Sequence, residues 1–145
     1  MPMNKDPAPI LRERLGRLAS FLPAFEAPGF RFGEWSAPES TAPGVVVLPG
    51  YCTGETASLF VQAAYESGWV LTDFNWSAWA STPEAGTLRD DPEALAGATA
   101  EQLANLLTVI IRGDRFCEGS LASCFQSGLL VGILRRADTL RSRLS

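Results

Sequence analysis

Histidine is absent from all 145 residues. That one absence excludes Ser-His-Asp and Cys-His nucleophilic machinery, histidine-ligated zinc and any imidazole acid-base step. Cysteine is scarce: Cys52, Cys117 and Cys124 form no C-x-x-C pair and no even set. A structural zinc site or a disulfide scaffold therefore does not fit, and the thiols are expected to be reduced and unpaired. Long apolar runs are missing too. The stretches Leu106 to Ile111 and Leu129 to Leu134 are far shorter than a membrane span, and the N-terminus has no apolar signal core. No cofactor or metal is expected. What is present is enough apolar material for a core: 46% of the residues are hydrophobic and 19% charged, too apolar a balance for a disordered chain. The expectation is one cytoplasmic domain over residues 1–145, with a flexible stretch at 1–8.

The net charge of −4 is unevenly spread. Residues 1–31 sum to +2 and residues 112–145 to +3, whereas residues 32–111 carry ten acids against the single base Arg89. All four tryptophans and both tyrosines lie in that acidic middle. An acidic surface with aromatic anchors suits a basic protein partner and repels nucleic-acid phosphates. The plainer alternative is that the acids only solvate helix and loop faces while the rings fill the core. The terminal arginines alternate with apolar helix positions and lack interleaved aromatics, which argues against nucleic-acid binding.

Apolar periodicity predicts a mainly helical fold of about four to five helices. Pro9 opens a first helix whose apolar positions are Ile10, Leu11, Leu15, Leu18, Phe21 and Leu22, ended by Pro23 and Pro28-Gly29. A small hairpin is expected in residues 30–48. Thr53 or Thr56 is expected to cap a helix over Ala57 to Ser67, which Gly68 stops. Thr82 to Pro92 reads as a Pro-, Gly- and Asp-rich loop. Thr99 and Gln102 form a capping box for a helix with Leu103, Leu106, Leu107, Ile110 and Ile111 on one face, expected to be the longest in the chain. A break at Gly128 precedes a last amphipathic helix, Leu129 to Leu144, with its arginines outward. Residues 63–71 and 123–131 echo one another as small–small–aromatic–polar–Ser-Gly–apolar, which reads either as a duplication or as shared helix-ending chemistry.

Three clusters could carry chemistry. Arg112, Asp114, Arg115 and Glu118 surround Cys117 in one short block; two guanidiniums beside two carboxylates could hold an anion or tune an acid. A salt-bridged helix end is the plain reading, and Cys117 is expected to be apolar filler. The segment Pro49 to Thr56 offers Tyr51 and Glu55 at the entry to a helix, an anion-site geometry without a P-loop ending. The third cluster is Trp69, Phe74, Trp76 and Trp79 with Asp73 and Asn75, either a partner platform or core.

The block from Leu106 to Leu121, read as R-x-D-R-F-x-x-G-x-L, resembles an uncharacterised bacterial domain family. So do the terminal Ile133-Leu134-Arg135-Arg136 and the upstream Pro49-Gly50-Tyr51, Tyr65-x-x-Gly68-Trp69 and Phe74-x-Trp76-x-x-Trp79. The resemblance covers the chain from about residue 30 onward. It implies membership but no activity, and it implies that the first and third clusters meet in space. Two functions follow as expectations. One is a small non-enzymatic binding protein that engages a protein partner through Tyr51, Glu55, Asp73, Trp76, Trp79, Arg112 and Arg115; inhibitors of bacterial defence complexes are such proteins. The other is a small histidine-free enzyme or anionic-ligand domain, with Asp114 or Glu118 as acid-base and Arg112 with Arg115 holding the anion.

Overall fold

The structure is a computed structural model that describes residues 8–36, 44, 50–114 and 119–144. It is mainly helical with one small hairpin. In chain order the elements are α1 (Ala8–Ala19), α2 (Leu22–Phe25), β1 (Gly33–Ser36), β2 (Gly50–Thr53), α3 (Glu55–Glu66), α4 (Trp76–Ala80), α5 (Pro83–Asp90), α6 (Pro92–Ala96), α7 (Ala100–Gly113), α8 (Ser120–Gln126) and α9 (Leu129–Arg143). Among the described residues there are thus nine helical segments, more than the four to five expected. Three of them (α2, α4 and α6) are single turns.

The extra helices have a plain cause. The expected loop at 82–92 is instead α5 and α6, because Pro83 and Pro92 each sit in a first turn, where no N–H partner is needed. The side chains of Thr82 and Asp91 cap those turns, accepting from Ala85 N and Glu93 N. Pro23 likewise sits in the first turn of α2 rather than ending a helix. The capping box forms as expected: Thr99 Oγ1 accepts from Gln102 N at 3.1 Å and Gln102 Oε1 accepts from Thr99 N at 2.9 Å. The helix it opens is not the longest, since α9 has 15 residues against 14 for α7. Helix α3 starts at Gly54 without a side-chain cap, so neither Thr53 nor Thr56 has the expected role.

The hairpin pairs β1 with β2 antiparallel, Gly33 opposite Thr53 and Ser36 opposite Gly50. The expected second strand at Val45 to Leu48 lies outside the described residues. Within the Pro49–Thr56 segment, Gly50–Thr53 form strand β2 and lead into α3. Gly33 is required by close approach: a Cβ there would stand 2.4 Å from the Cys52 carbonyl oxygen and 2.7 Å from Tyr51 Cε2.

One connected core joins these elements. Leu103 and Leu107 of α7, Leu130, Ile133 and Leu134 of α9, and Leu15 and Leu18 of α1 are all fully enclosed. Helix α1 packs mainly along α9. Ile10, assigned by its spacing to the buried face, is half exposed. Phe25 centres an aromatic group, with Phe21, Phe30, Phe32, Phe60 and Phe125 at ring-centroid distances of 5.3 to 6.0 Å. Such edge and tilted contacts add to the area buried. Trp69, fully buried, donates its indole N–H to the Arg14 carbonyl at 3.0 Å, while Arg14 Nε donates to the Ser67 carbonyl at 2.6 Å. Gly68 supplies the positive φ of 78° that this turn needs. Gly128 repeats that conformation at φ 89°, but a helix follows it and none follows Gly68. The echo between residues 63–71 and 123–131 is therefore structural only at the helix-ending turn.

Candidate functional site

The described part of the first cluster, Arg112 to Asp114, meets the aromatic third cluster at the C-terminal end of α7, where Trp76 rests against Gly113. Thr108 is the one buried polar residue among those described. Its hydroxyl accepts from Leu71 N at 2.9 Å and lies 2.7 Å from the Ala104 carbonyl and 3.3 Å from that of Trp69. One turn on, Arg112 donates from Nη1 to the Leu71 carbonyl at 3.2 Å. Residues four apart share a helix face, so the two α7 side chains grip both backbone groups of one residue. Leu71 is thereby the anchor from which residues 72–80 leave the core.

That segment carries the aromatic residues. Asn75 caps α4, its Oδ1 accepting from Ala78 N at 3.2 Å. The half-buried Trp76 rests against Gly113, its Cζ3 3.8 Å from where a Cβ would stand. Trp79, also half-buried, donates its indole N–H to Glu84 at 3.0 Å, and the second oxygen of Glu84 accepts from Gln102 at 2.8 Å. This chain of bonds fixes α4 to the starts of α5 and α7. Asp73 is exposed and, among the described residues, has no cationic partner.

Asp114 ends α7 and reaches forward. Its Oδ1 accepts from Leu121 N at 3.0 Å, serving a first-turn amide of α8 that Gly119 has no side chain to cap. Tyr51 is half-buried over Gly33. Burial, and behind it the negative charge of Asp114, raises its phenol above the ordinary value. Arg112, Asp114, Tyr51, Trp76 and the start of the Asp73 segment are therefore gathered around one end of α7. Glu55 is exposed in the first turn of α3, where it complements the helix dipole. Arg115, Cys117 and Glu118 lie outside the described residues.

Chemically, the described polar groups of the R-x-D-R-F block are used by the fold. Arg112 holds a backbone carbonyl and Asp114 a backbone amide, so neither is positioned as a free acid-base group. Among the described residues, no three His, Cys, Asp or Glu side chains converge on a metal position. No helix there is long and apolar enough to cross a membrane. Burial pushes the Cys124 thiol up, with Arg89 opposing and Asp114 adding to the effect, so the described half-buried cysteine favours the protonated form. Thr108 is not among the expected site residues; its signal in the sequence is a hydroxyl between Leu107 and Val109 in the apolar stretch of α7.

These features define a small, mainly helical fold in which an aromatic segment carrying Asp73 is clamped to α7. The chain belongs to a family of unknown function, DUF6508, whose pattern matches residues 10–143. The match begins some twenty residues ahead of the start expected from the motifs and takes in α1. No curated protein and no solved structure matches the chain.

Proposed function

We propose that this chain is a non-catalytic binding protein that engages a basic protein partner through the acidic, aromatic surface of residues 71–84. The observation that carries the reading is the division of roles at the end of α7. Arg112 and Asp114 are spent on backbone groups, while Asp73 stands exposed three residues before the half-buried Trp76. Residues 71–105 hold six carboxylates and one arginine, a field that draws in a cationic surface and accelerates encounter. Half-buried tryptophans are suited to anchor a contact, because a ring held in place loses little freedom on binding. An inhibitor that occupies the basic face of a bacterial defence complex is one form such a binder takes.

The reading of Arg112, Asp114, Arg115 and Glu118 as an enzyme or anion site has less support, since its two described members already have backbone partners. Site-specific photocrosslinking tests the proposal. A photoreactive side chain in place of Trp76 is expected to give one discrete protein adduct in extract of the native host. The same group in place of Arg12 on α1 is expected not to give that adduct. Raising the salt concentration, or adding Asp73→Lys, should remove it. Identical adducts from both positions, no adduct from position 76, or an adduct insensitive to salt and to Asp73→Lys would each overturn the proposal.

A further inference from the structure

A groove of about 750 Å³ runs between α5–α6 on one side and α8–α9 on the other. That volume is in the range of small-molecule sites. Two helices turn hydroxyl-bearing faces toward it: Ser120 and Ser123 lie on α8 with Ser127 at its C-cap, and Thr139 lies on α9. Three arginines line it, against one carboxylate, Asp90, among the described residues.

The three arginines are not equivalent. Arg89 pairs with Asp90 at 3.2 Å, and Arg135 pairs with Glu26. Arg136 is half-buried and, among the described residues, faces no carboxylate. Its Nε donates to the Ala98 carbonyl at 2.8 Å, which fixes the guanidinium at the groove wall. Arg136, expected to point outward with its neighbours, is held against the groove by its bond to Ala98. Burial, and then the like charge of Arg143, holds its pKa below the ordinary arginine value.

The inner end of the groove has a different character. A smaller cavity of about 150 Å³ shares Arg89, Ser120, Cys124 and Leu129 with it. That cavity continues to Trp79, Leu106, Val109 and Ile110, all apolar. Cation and hydroxyls at the mouth with an apolar pocket behind them are complementary to one kind of molecule. The geometry points to a binding site for a small anionic amphiphile, its carboxylate or phosphate head on Arg136 and its short aliphatic tail beside Trp79. Arg136 supplies charge-assisted donors to the head, Ser120 and Ser123 supply neutral ones, and the tail displaces water from the apolar end. The tail end shares Trp79 with the 71–84 surface, but the site rests on Arg136 and the groove rather than on Asp73 or a protein partner, so the two readings can fail separately.

Calorimetric titration with butanoate, hexanoate and octanoate, each below its micelle concentration, tests this directly. Affinity should rise about fourfold per methylene, the factor for one buried CH₂. Octanoate or octyl phosphate should bind at least tenfold more tightly than octylamine, which has the tail without the negative head. Arg136→Gln should weaken octanoate at least tenfold. Val109→Trp, which fills the inner end, should flatten the chain-length series while leaving butanoate unchanged. If Arg136→Gln does not fold, the octylamine comparison on the natural chain tests the charge requirement alone. Affinity independent of chain length, equal binding of octylamine and octanoate, or no binding of either octyl anion would overturn the proposal.

Discussion

Replacing Thr108 by valine probes the clamp on Leu71 more sharply than any other single change. Valine keeps the branched shape, so the fully enclosed site is neither emptied nor overfilled. What disappears is the hydroxyl that accepts from Leu71 N and donates to a main-chain carbonyl. Losing a net hydrogen bond costs roughly 1 kcal/mol, and leaving the Leu71 amide without its acceptor adds about 1–2 kcal/mol. The added methyl returns about 0.8 kcal/mol of apolar burial. The expected balance is a loss of about 1.2–2.2 kcal/mol, or roughly 4–7 °C in Tm for a chain of this size. Thr108→Ser keeps the hydroxyl and removes one methyl, at a cost of about 1 kcal/mol. Urea denaturation of both variants separates the terms. Hydrogen exchange should also show faster opening of residues 70–80 in the valine variant only. A valine variant as stable as the serine variant would refute the reasoning, since it would mean that water satisfies Leu71 equally well.

Other outcomes follow from single contacts. Asp114→Ala should lower stability by about 1 kcal/mol through loss of the acceptor for Leu121 N, whereas Asp114→Asn, which keeps an acceptor, should change it little; denaturation midpoints decide this. Thr99→Ala should cost about 1 kcal/mol by opening the capping box of α7, measured in the same way. Cys52 is exposed and Cys124 half-buried with a raised pKa, so alkylation near pH 8 followed by peptide mass mapping should modify Cys52 before Cys124. The raised Cys124 and Tyr51 values also fix a sign. The folded chain keeps those protons to higher pH than the unfolded chain does, so their contribution to stability is full at low pH and is lost as pH rises through the thiol and phenol ranges. A stability that climbed from pH 8 to pH 10 would contradict it.

The parts of the fold legible in the sequence were those set by local chemistry. The Thr99–Gln102 box, the apolar face from Leu103 to Ile111, and the glycine turns at Gly68 and Gly128 each depend on residues within one or two turns, and each forms as expected. Helices α5 and α6 were legible in principle, because Thr82-Pro83 and Asp91-Pro92 are cap-and-first-turn pairs, but prolines close together also describe a loop. The partner of β1 was not legible, since a four-residue strand carries little pattern and its pairing is a long-range choice. At the site, the meeting of Trp76 with the end of α7 agrees with the expected meeting of clusters. The use of Arg112 and Asp114 on backbone groups was hidden, because a sequence does not reveal which main-chain carbonyls and amides come within reach. Arg136 was hidden for the same reason: its distinguishing partner is the Ala98 carbonyl, 38 residues away.

The central claim is that Asp73 and Trp76 form an acidic, aromatic contact for a basic partner. With the crosslinked partner in hand, the most direct measurement is its Kd for the natural chain and for Asp73→Lys at 50 and 300 mM salt. The expected result is weaker binding for Asp73→Lys at low salt, with the difference shrinking at high salt as screening removes the charge term. A Kd that is the same for both chains at both salt concentrations would contradict the claim.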